Sequence, residues 1–204
     1  MNRDGIPLRV AFATIEFVTE PTYYGGLANY LYRVGRSLVE FGHEPVIVVP
    51  SDRDEMFFHE GIEVHRVCIA NGALFSSLNR VTGQRLRGTL SWVWQSRQLN
   101  AALRRIHAVK PLSIIQYASC AATGLFRLRS LPSVVRISSF LPLWNDAYGY
   151  ARTLDVRLVE RLEEIAYRRA DALFAPSFIN ARAVEVATGR RVSVIETPFF
   201  LECR

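Results

Sequence analysis

LRVAFAT (residues 8–14), a loop closing on YGG (24–26), LANYLYRVGRSLVEFGH (27–43) and PVIVVP (45–50) follow one another at the amino end of a 204-residue chain. The first run is apolar and too short for a helix, which suits a strand buried on both faces. In the next, Leu27, Tyr30, Leu31, Val34, Leu38 and Phe41 recur at steps of three and four, while Asn29, Arg33, Arg36 and Glu40 take the other faces. That is the pattern of an amphipathic helix. Gly42 is placed to end it, and residues 45–50 predict a second buried strand, so the unit is strand, helix, strand with a parallel crossover. Gly25 and Gly26 would open backbone N–H groups, and the positive end of the helix dipole, to an anion or a hydroxyl-rich ligand.

Outward from this unit the alternation continues. GIEVHRV (61–67) predicts a strand, 90–109 a helix, 112–117 a strand, 121–129 a short helix and 132–137 a strand. SSFLPLWNDAYGY (138–150) reads as a loop because prolines, Asn145-Asp146 and Gly149 are turn formers. A helix over 153–169 would turn Val159, Leu162, Ile165 and Ala166 inward and set Arg157 and Arg161 against Glu160 and Glu164 outward. Residues 172–175 predict a strand, Ser177 caps a helix to 187, and 192–195 close the series. The fold class is α/β: a Rossmann-like parallel sheet with helices on both faces. Ligands of such sheets lie beyond the carboxyl ends of the strands. This gathers residues 14–26, 116–120, 138–145 and 176–177 around one cleft.

GGLANYLYRVGRSLVEFGHEPVIVVP (25–50) resembles the amino-terminal domain of GT-B glycosyltransferases, in particular the retaining enzymes of family 4 (group 1). KPLSIIQYAS (110–119), LPSVVRISS (131–139) and RRADALFAPSFINARAVEVATGRRVSVI (168–195) keep that family's order. The resemblance implies that residues 1–204 are the acceptor-side, Rossmann-like half of a GT-B architecture. On this reading the chain is an excised amino-terminal half that lacks the donor-binding carboxy-terminal domain and is inactive alone. The implied reaction moves a sugar from a nucleotide-diphosphate sugar to a hydroxyl of a glycan or lipid-linked acceptor, with no cofactor and no metal. Tyr24, Gly25 and Gly26 carry over as the loop touching donor phosphate and acceptor, and Ser177 as a polar residue facing the cleft. Glu16 and Glu20, in the same loop, could each bind acceptor hydroxyls, although a solvated loop charge is the plainer reading of both.

The departures are specific. Ser138, followed by Ser139, stands where many members have a histidine, and Gln116, Tyr117 and Ser119 replace a frequent histidine pair. A serine can hydrogen-bond a sugar hydroxyl but cannot be cationic, so the catalytic residue is left unassigned. Glu55 and Glu63 have the spacing of the family's donor-site glutamates, yet a predicted strand separates them and the match is coincidental. The alternative reading is a non-catalytic α/β module that binds a glycan or an anionic lipid phosphate.

Composition narrows the partners. Half of the residues are hydrophobic, ample for a core, and no run resembles a signal peptide or a membrane span. Three unclustered cysteines predict a reducing, cytoplasmic setting, with Cys68 and Cys120 as small buried hydrophobes and Cys203 near the end. His43, His59, His65 and His107 are scattered, which argues against a metal site or a triad. The net charge of +6 is uneven: residues 64–145 hold eleven Arg and Lys and no acid, leaving fourteen cations against nineteen acids elsewhere. Within that stretch Leu99, Ala102, Leu103 and Ile106 mark a core-facing stripe. Leu74, Phe75, Leu78, Trp92 and Trp94, interleaved with arginines, fit an anionic membrane surface, hence a peripheral position at the inner face of the membrane. No nucleic-acid-binding signature is present, and nucleic acid is not an expected partner.

Overall fold

The computed structural model describes residues 6–21, 25–70 and 72–197, so Tyr24 and Cys203 lie outside the described residues. Its sheet comprises β1 (Arg9–Ala13), β2 (Glu44–Ser51), β3 (Glu55–His59), β4 (Ile62–Cys68), β5 (Ile114–Ala118), β6 (Ser133–Arg136), β7 (Ala172–Ala175) and β8 (Ser193–Val194). The spatial order is β3-β4-β2-β1-β5-β6-β7-β8. All neighbours are parallel except β3 and β4. The helices are α1 (Gly26–Glu40), α2 (Ala73–Val81), α3 (Arg87–Val109), α4 (Leu141–Tyr148), α5 (Leu154–Arg169) and α6 (Phe178–Thr188). The parallel, doubly covered sheet is the one expected from the alternation of elements.

Two apolar layers hold the sheet. Alternate residues of each strand point to opposite faces: Phe12, Ile47 and Val64 meet Leu27, Tyr30 and Leu31 of α1, whereas Ala11, Val46, Ile115 and Val135 meet Leu99 and Leu103 of α3, Tyr167 of α5 and Val184 of α6. The stripe predicted on 99–106 is therefore core. At the edge of α1 the period fails: Phe41 is the C-cap residue and is exposed. Gly35 is where α1 touches the sheet, since a Cβ there would lie 2.7 Å from Ile62 Cδ1.

Three segments differ from the sequence reading. β3 was not expected. It pairs antiparallel with β4 through the two-residue turn Glu60-Gly61, both at positive φ, the geometry of a type I′ hairpin in which glycine is favoured. Its exposed Met56 and Phe58 hide the alternation that marks a half-buried strand. Residues 138–150 contain helix α4, with Pro142 in its first turn and Gly149 left-handed at its carboxyl end. Those turn formers are a helix start and stop. Residues 121–129 form no α-helix, only a 3-10 turn over Cys120–Ala122 followed by irregular chain.

Burial also corrects two acids. Glu160 faces inward and accepts from Asn145 Nδ2 at 2.9 Å, although the outward pairing of Arg161 with Glu164 is present. Glu20 is buried and receives Arg66 Nε at 2.9 Å. Arg66 also holds Glu55, and Arg9 grips Glu63 with one nitrogen at 2.6 and 2.7 Å. Both members of the coincidental glutamate pair are thus engaged in structural ion pairs.

The close contact of α1 with β4 is testable. Gly35→Ala should lower the free energy of unfolding by about 1–2 kcal/mol through overpacking against Ile62, read as a reduced urea midpoint at unchanged slope.

Candidate functional site

The carboxyl ends of β1, β5 and β6 converge on a cleft whose floor is set by the turn after β5. Ala121 and Ala122 are both left-handed, at φ 57° and 47°, a conformation that costs a residue with a Cβ about 1–2 kcal/mol. A buried polar network holds it. Asn100 Nδ2 and Ser96 Oγ, both on α3, donate to the Thr123 carbonyl at 2.8 and 3.0 Å. Thr123 Oγ1 donates to the Ala118 carbonyl at 2.7 Å, and Tyr117 Oη donates to Asn100 Oδ1 at 2.8 Å. The turn brings Cys120 and Ala121 to the cleft surface.

The cleft measures about 500 Å³ and is walled by Glu16, Gly25 and Gly26 on one side, Ser138, Ser139 and Trp144 on another, with Trp92, Cys120 and Glu163 between them. No Arg, Lys or His lines it among the described residues. Glu16 Oε1 accepts the backbone N–H of Ala28 at 3.2 Å, and a Cβ on Gly25 would come within 2.9 Å of that oxygen. The chain's own carboxylate thereby takes one N–H at the amino end of α1, where an anion or a hydroxyl-rich ligand was expected, and the dipole favours it there. Gly26 has open space around its Cβ position.

Glu163 was not singled out by the sequence. It sits on the inward face of α5, 3% exposed, with Oε2 accepting from Leu141 N at 3.3 Å and Tyr167 Oη at 3.2 Å. Burial pushes its pKa up to about 8 against the opposing effect of those two hydrogen bonds, so the cleft floor carries a neutral acid at physiological pH. The only sequence signal was its place among Val159 and Ala166 on the apolar stripe of the helix, a polar residue at a core position.

Of the other expected residues, Ser138 and Ser139 are in the cleft wall. Ser138 N donates to Ser119 Oγ at 3.2 Å, and Ser139 Oγ lies 3.6 Å from Cys120 Sγ. Ser119 is fully buried and supports Ser138 from behind. Tyr117 and Gln116 lie outside the cleft: Tyr117 points into the α3 layer, and Gln116 lies under α1, 3.5 Å from Tyr30 Oη. The period of two along β5 sends these neighbours to opposite faces, so only the residues past the strand end can reach the ligand side. Ser177 caps α6, accepting from Asn180 N at 3.4 Å, and is not among the cleft-lining residues. His43 Nδ1 accepts from Leu8 N and His107 Nδ1 from Leu112 N, both structural contacts. Cys68 and Cys120 are free thiols, each partly exposed rather than core.

Arg136, counted by sequence among the surface cations, is 5% exposed. Its guanidinium lies 3.8 Å from the Tyr30 ring centroid, donates to Ser138 Oγ, and reaches Thr197 Oγ1 at 3.1 Å. Burial lowers its pKa from the usual guanidinium range, but no carboxylate pairs with it among the described residues. It donates to the Ser138 hydroxyl and is itself held on the Tyr30 ring by cation–π attraction.

A doubly covered parallel sheet with its cleft beyond the carboxyl strand ends is the architecture of a GT-B glycosyltransferase domain. The chain belongs to Glycosyltransferase Family 4, whose sequence model matches residues 24–200. Among curated proteins, none matches the sequence. In fold it is similar to the UGT2 of Phytolacca americana (TM-score 0.59, 8% identity, covering 96% of this chain and 52% of that one). It is also similar to UGT2 in complex with UDP-2-fluoro-glucose and pterostilbene (TM-score 0.60, 8% identity, 96% and 55% covered). A third similar structure is a sucrose-phosphate synthase from Thermosynechococcus elongatus (TM-score 0.56, 10% identity, 95% and 90% covered). The chain spans about half the length of the UGT2 chains it matches.

Two measurements check the site. Asn100→Ala should cost about 2–4 kcal/mol of unfolding free energy, because it strands the Tyr117 hydroxyl and frees the strained turn. Glu163 binds a proton in the folded state at pH values where the unfolded chain, with the ordinary value of 4.5, has released it. Its contribution is therefore full below pH 4.5 and is lost as pH rises through about 8, at a slope of about 1.4 kcal/mol per pH unit. Urea titrations at intervals across that window should show stability falling in the parent protein relative to Glu163→Gln, which removes the slope.

Proposed function

We propose that this chain is the acceptor-side domain of a retaining glycosyltransferase that moves a sugar from a nucleotide-diphosphate sugar to an acceptor hydroxyl. The observation that carries this reading is a cleft that no cation lines among the described residues, in a family 4 fold. Trp92 and Trp144 offer apolar faces to the C–H side of a sugar ring, while Glu16, Ser138 and Ser139 offer acceptors and hydroxyls to its O–H groups, a combination suited to a neutral, hydroxyl-rich molecule. A diphosphate needs cations or free helix N–H groups. Glu16 accepts one N–H at the α1 terminus and sets a carboxylate there, so in this proposal the donor's diphosphate is met by a second domain of the complete enzyme.

In this scheme Glu16 accepts the hydrogen bond of the acceptor hydroxyl, Arg136 fixes the Ser138 hydroxyl toward the cleft, and Glu163 retains its proton on the floor. The co-substrate is a nucleotide-sugar, by analogy with the UDP-sugar held by the Phytolacca americana enzyme, and the reaction calls on no metal, as the family resemblance implies. The two free thiols support a reducing, cytoplasmic setting.

The test is transfer by the complete gene-encoded polypeptide, assayed with nucleotide-sugars and glycan or lipid-linked acceptors, beside residues 1–204 alone. The complete protein should turn over, and residues 1–204 should bind nucleotide-sugar weakly and transfer nothing. In the complete protein Glu16→Ala should lower kcat/KM about tenfold or more, the loss of one hydrogen bond to a charged group. Turnover by residues 1–204, or a complete protein that binds glycan without transfer, would overturn the assignment, the second outcome favouring a non-catalytic module.

A further inference from the structure

The helix pair α2–α3 carries features that neither the core nor the cleft uses. α2 buries none of its residues, although its apolar positions recur with helical spacing. Leu74 and Leu78 open onto a groove of about 710 Å³ shared with Val93 and Trp94 of α3. Val81, at the end of α2, is 85% exposed. On the other flank of α2, meeting the groove at Phe75, lies a polar recess of about 420 Å³ lined by Ser76, Asn79, Arg80, Gln84 and Arg87. Asn79 Oδ1 is buried there with no hydrogen-bond partner in the described structure.

Charge points the same way. Of the eleven cations in the acid-free stretch, Arg66, Lys110 and Arg127 have ion-pair partners and Arg136 is buried. Arg80 and Arg87, which line the recess, have none among the described residues. The nearest acid from α5, Asp155, is consumed: it accepts the N–H groups of Gly88 and Thr89, both at 2.8 Å, and so caps α3. That contact also joins the recess to the α4–α5 turn, where Tyr148, Tyr150 and Leu154 are exposed. α3 carries Trp92 on the cleft wall and Trp94 on the groove, so one helix borders both.

We infer that the α2–α3 surface docks on an anionic phospholipid bilayer, with a headgroup phosphate between Arg80 and Arg87 and the apolar flank of α2 at the acyl boundary. An amphipathic helix with arginines beside its apolar face binds by both effects together. Two guanidiniums without an ion-pair partner among the described residues suit a phosphate. The inference rests on surface chemistry and does not depend on the transferase reading.

Co-sedimentation of the protein with phosphatidylglycerol-containing vesicles and with pure phosphatidylcholine vesicles tests it. The expected result is binding at least about tenfold stronger to the anionic vesicles, weakened by salt. The double variant Arg80→Glu with Arg87→Glu should lose about tenfold or more, and Val81→Asp should weaken binding with an unchanged circular dichroism melt, since that side chain lies outside the core. Millimolar inorganic phosphate should not displace the vesicles. Equal affinity for both vesicle types, full binding by the Arg80/Arg87 variant, or displacement by free phosphate would overturn the proposal. So would binding to double-stranded DNA tight enough to exclude the vesicles.

Discussion

The hydrogen bonds that Asn100 makes across the interior are the constraint on which the cleft depends. Two consecutive left-handed alanines store unfavourable backbone energy, and they persist because α3 presents a carboxamide and a hydroxyl to the Thr123 carbonyl while Tyr117 closes the ring from β5. Each partner is buried, so none can exchange its bond for one with bulk water, and the network is held as a unit. The turn, in consequence, ends β5 abruptly. It lets Cys120 and Ala121 meet Ser138 and Ser139 from β6 at one surface, and places Trp92, one turn before Ser96 on α3, across from them. Strain kept by surrounding packing is a frequent mark of binding sites.

Charge is sorted between compartments of the molecule. The cleft holds one carboxylate that satisfies a helix terminus and one acid kept neutral by burial, and it excludes cations among the described residues. Arg136 is turned beneath Ser138 and onto the Tyr30 ring, where it holds a hydroxyl without contributing to the cleft wall. Free arginines gather instead along α2 and α3. The cleft and the arginine-bearing face of α2 and α3 are therefore electrostatically distinct regions of the molecule.

Much of the fold was legible because periodicity reports burial directly. Runs such as PVIVVP and the three- and four-step recurrence on α1 and α3 follow from strands and helices burying fixed faces, whatever their neighbours. The elements that were misread are those whose signals are local but ambiguous. Pro142 and Gly149 bound a helix as readily as they mark a loop, and the exposed edge strand β3 has no buried face to alternate against. The site was partly legible too: Glu16, Gly25, Gly26, Ser138 and Ser139 lie at strand or loop ends and are found together.

By itself the sequence determined the α/β class and the family, because these depend on the order of apolar periods and on motifs carried in single segments. Only the tertiary structure decided which polar groups share the cleft and in what state. Glu16 accepts an N–H at the α1 terminus, burial raises the pKa of Glu163, Arg136 is hidden, and Tyr117 and Gln116 are turned away. The physical reason is that a side chain's ionisation and direction depend on burial and on partners far along the chain, such as Leu141 for Glu163 and Tyr30 for Arg136, and those contacts come into being when the sheet and its two helical layers close together.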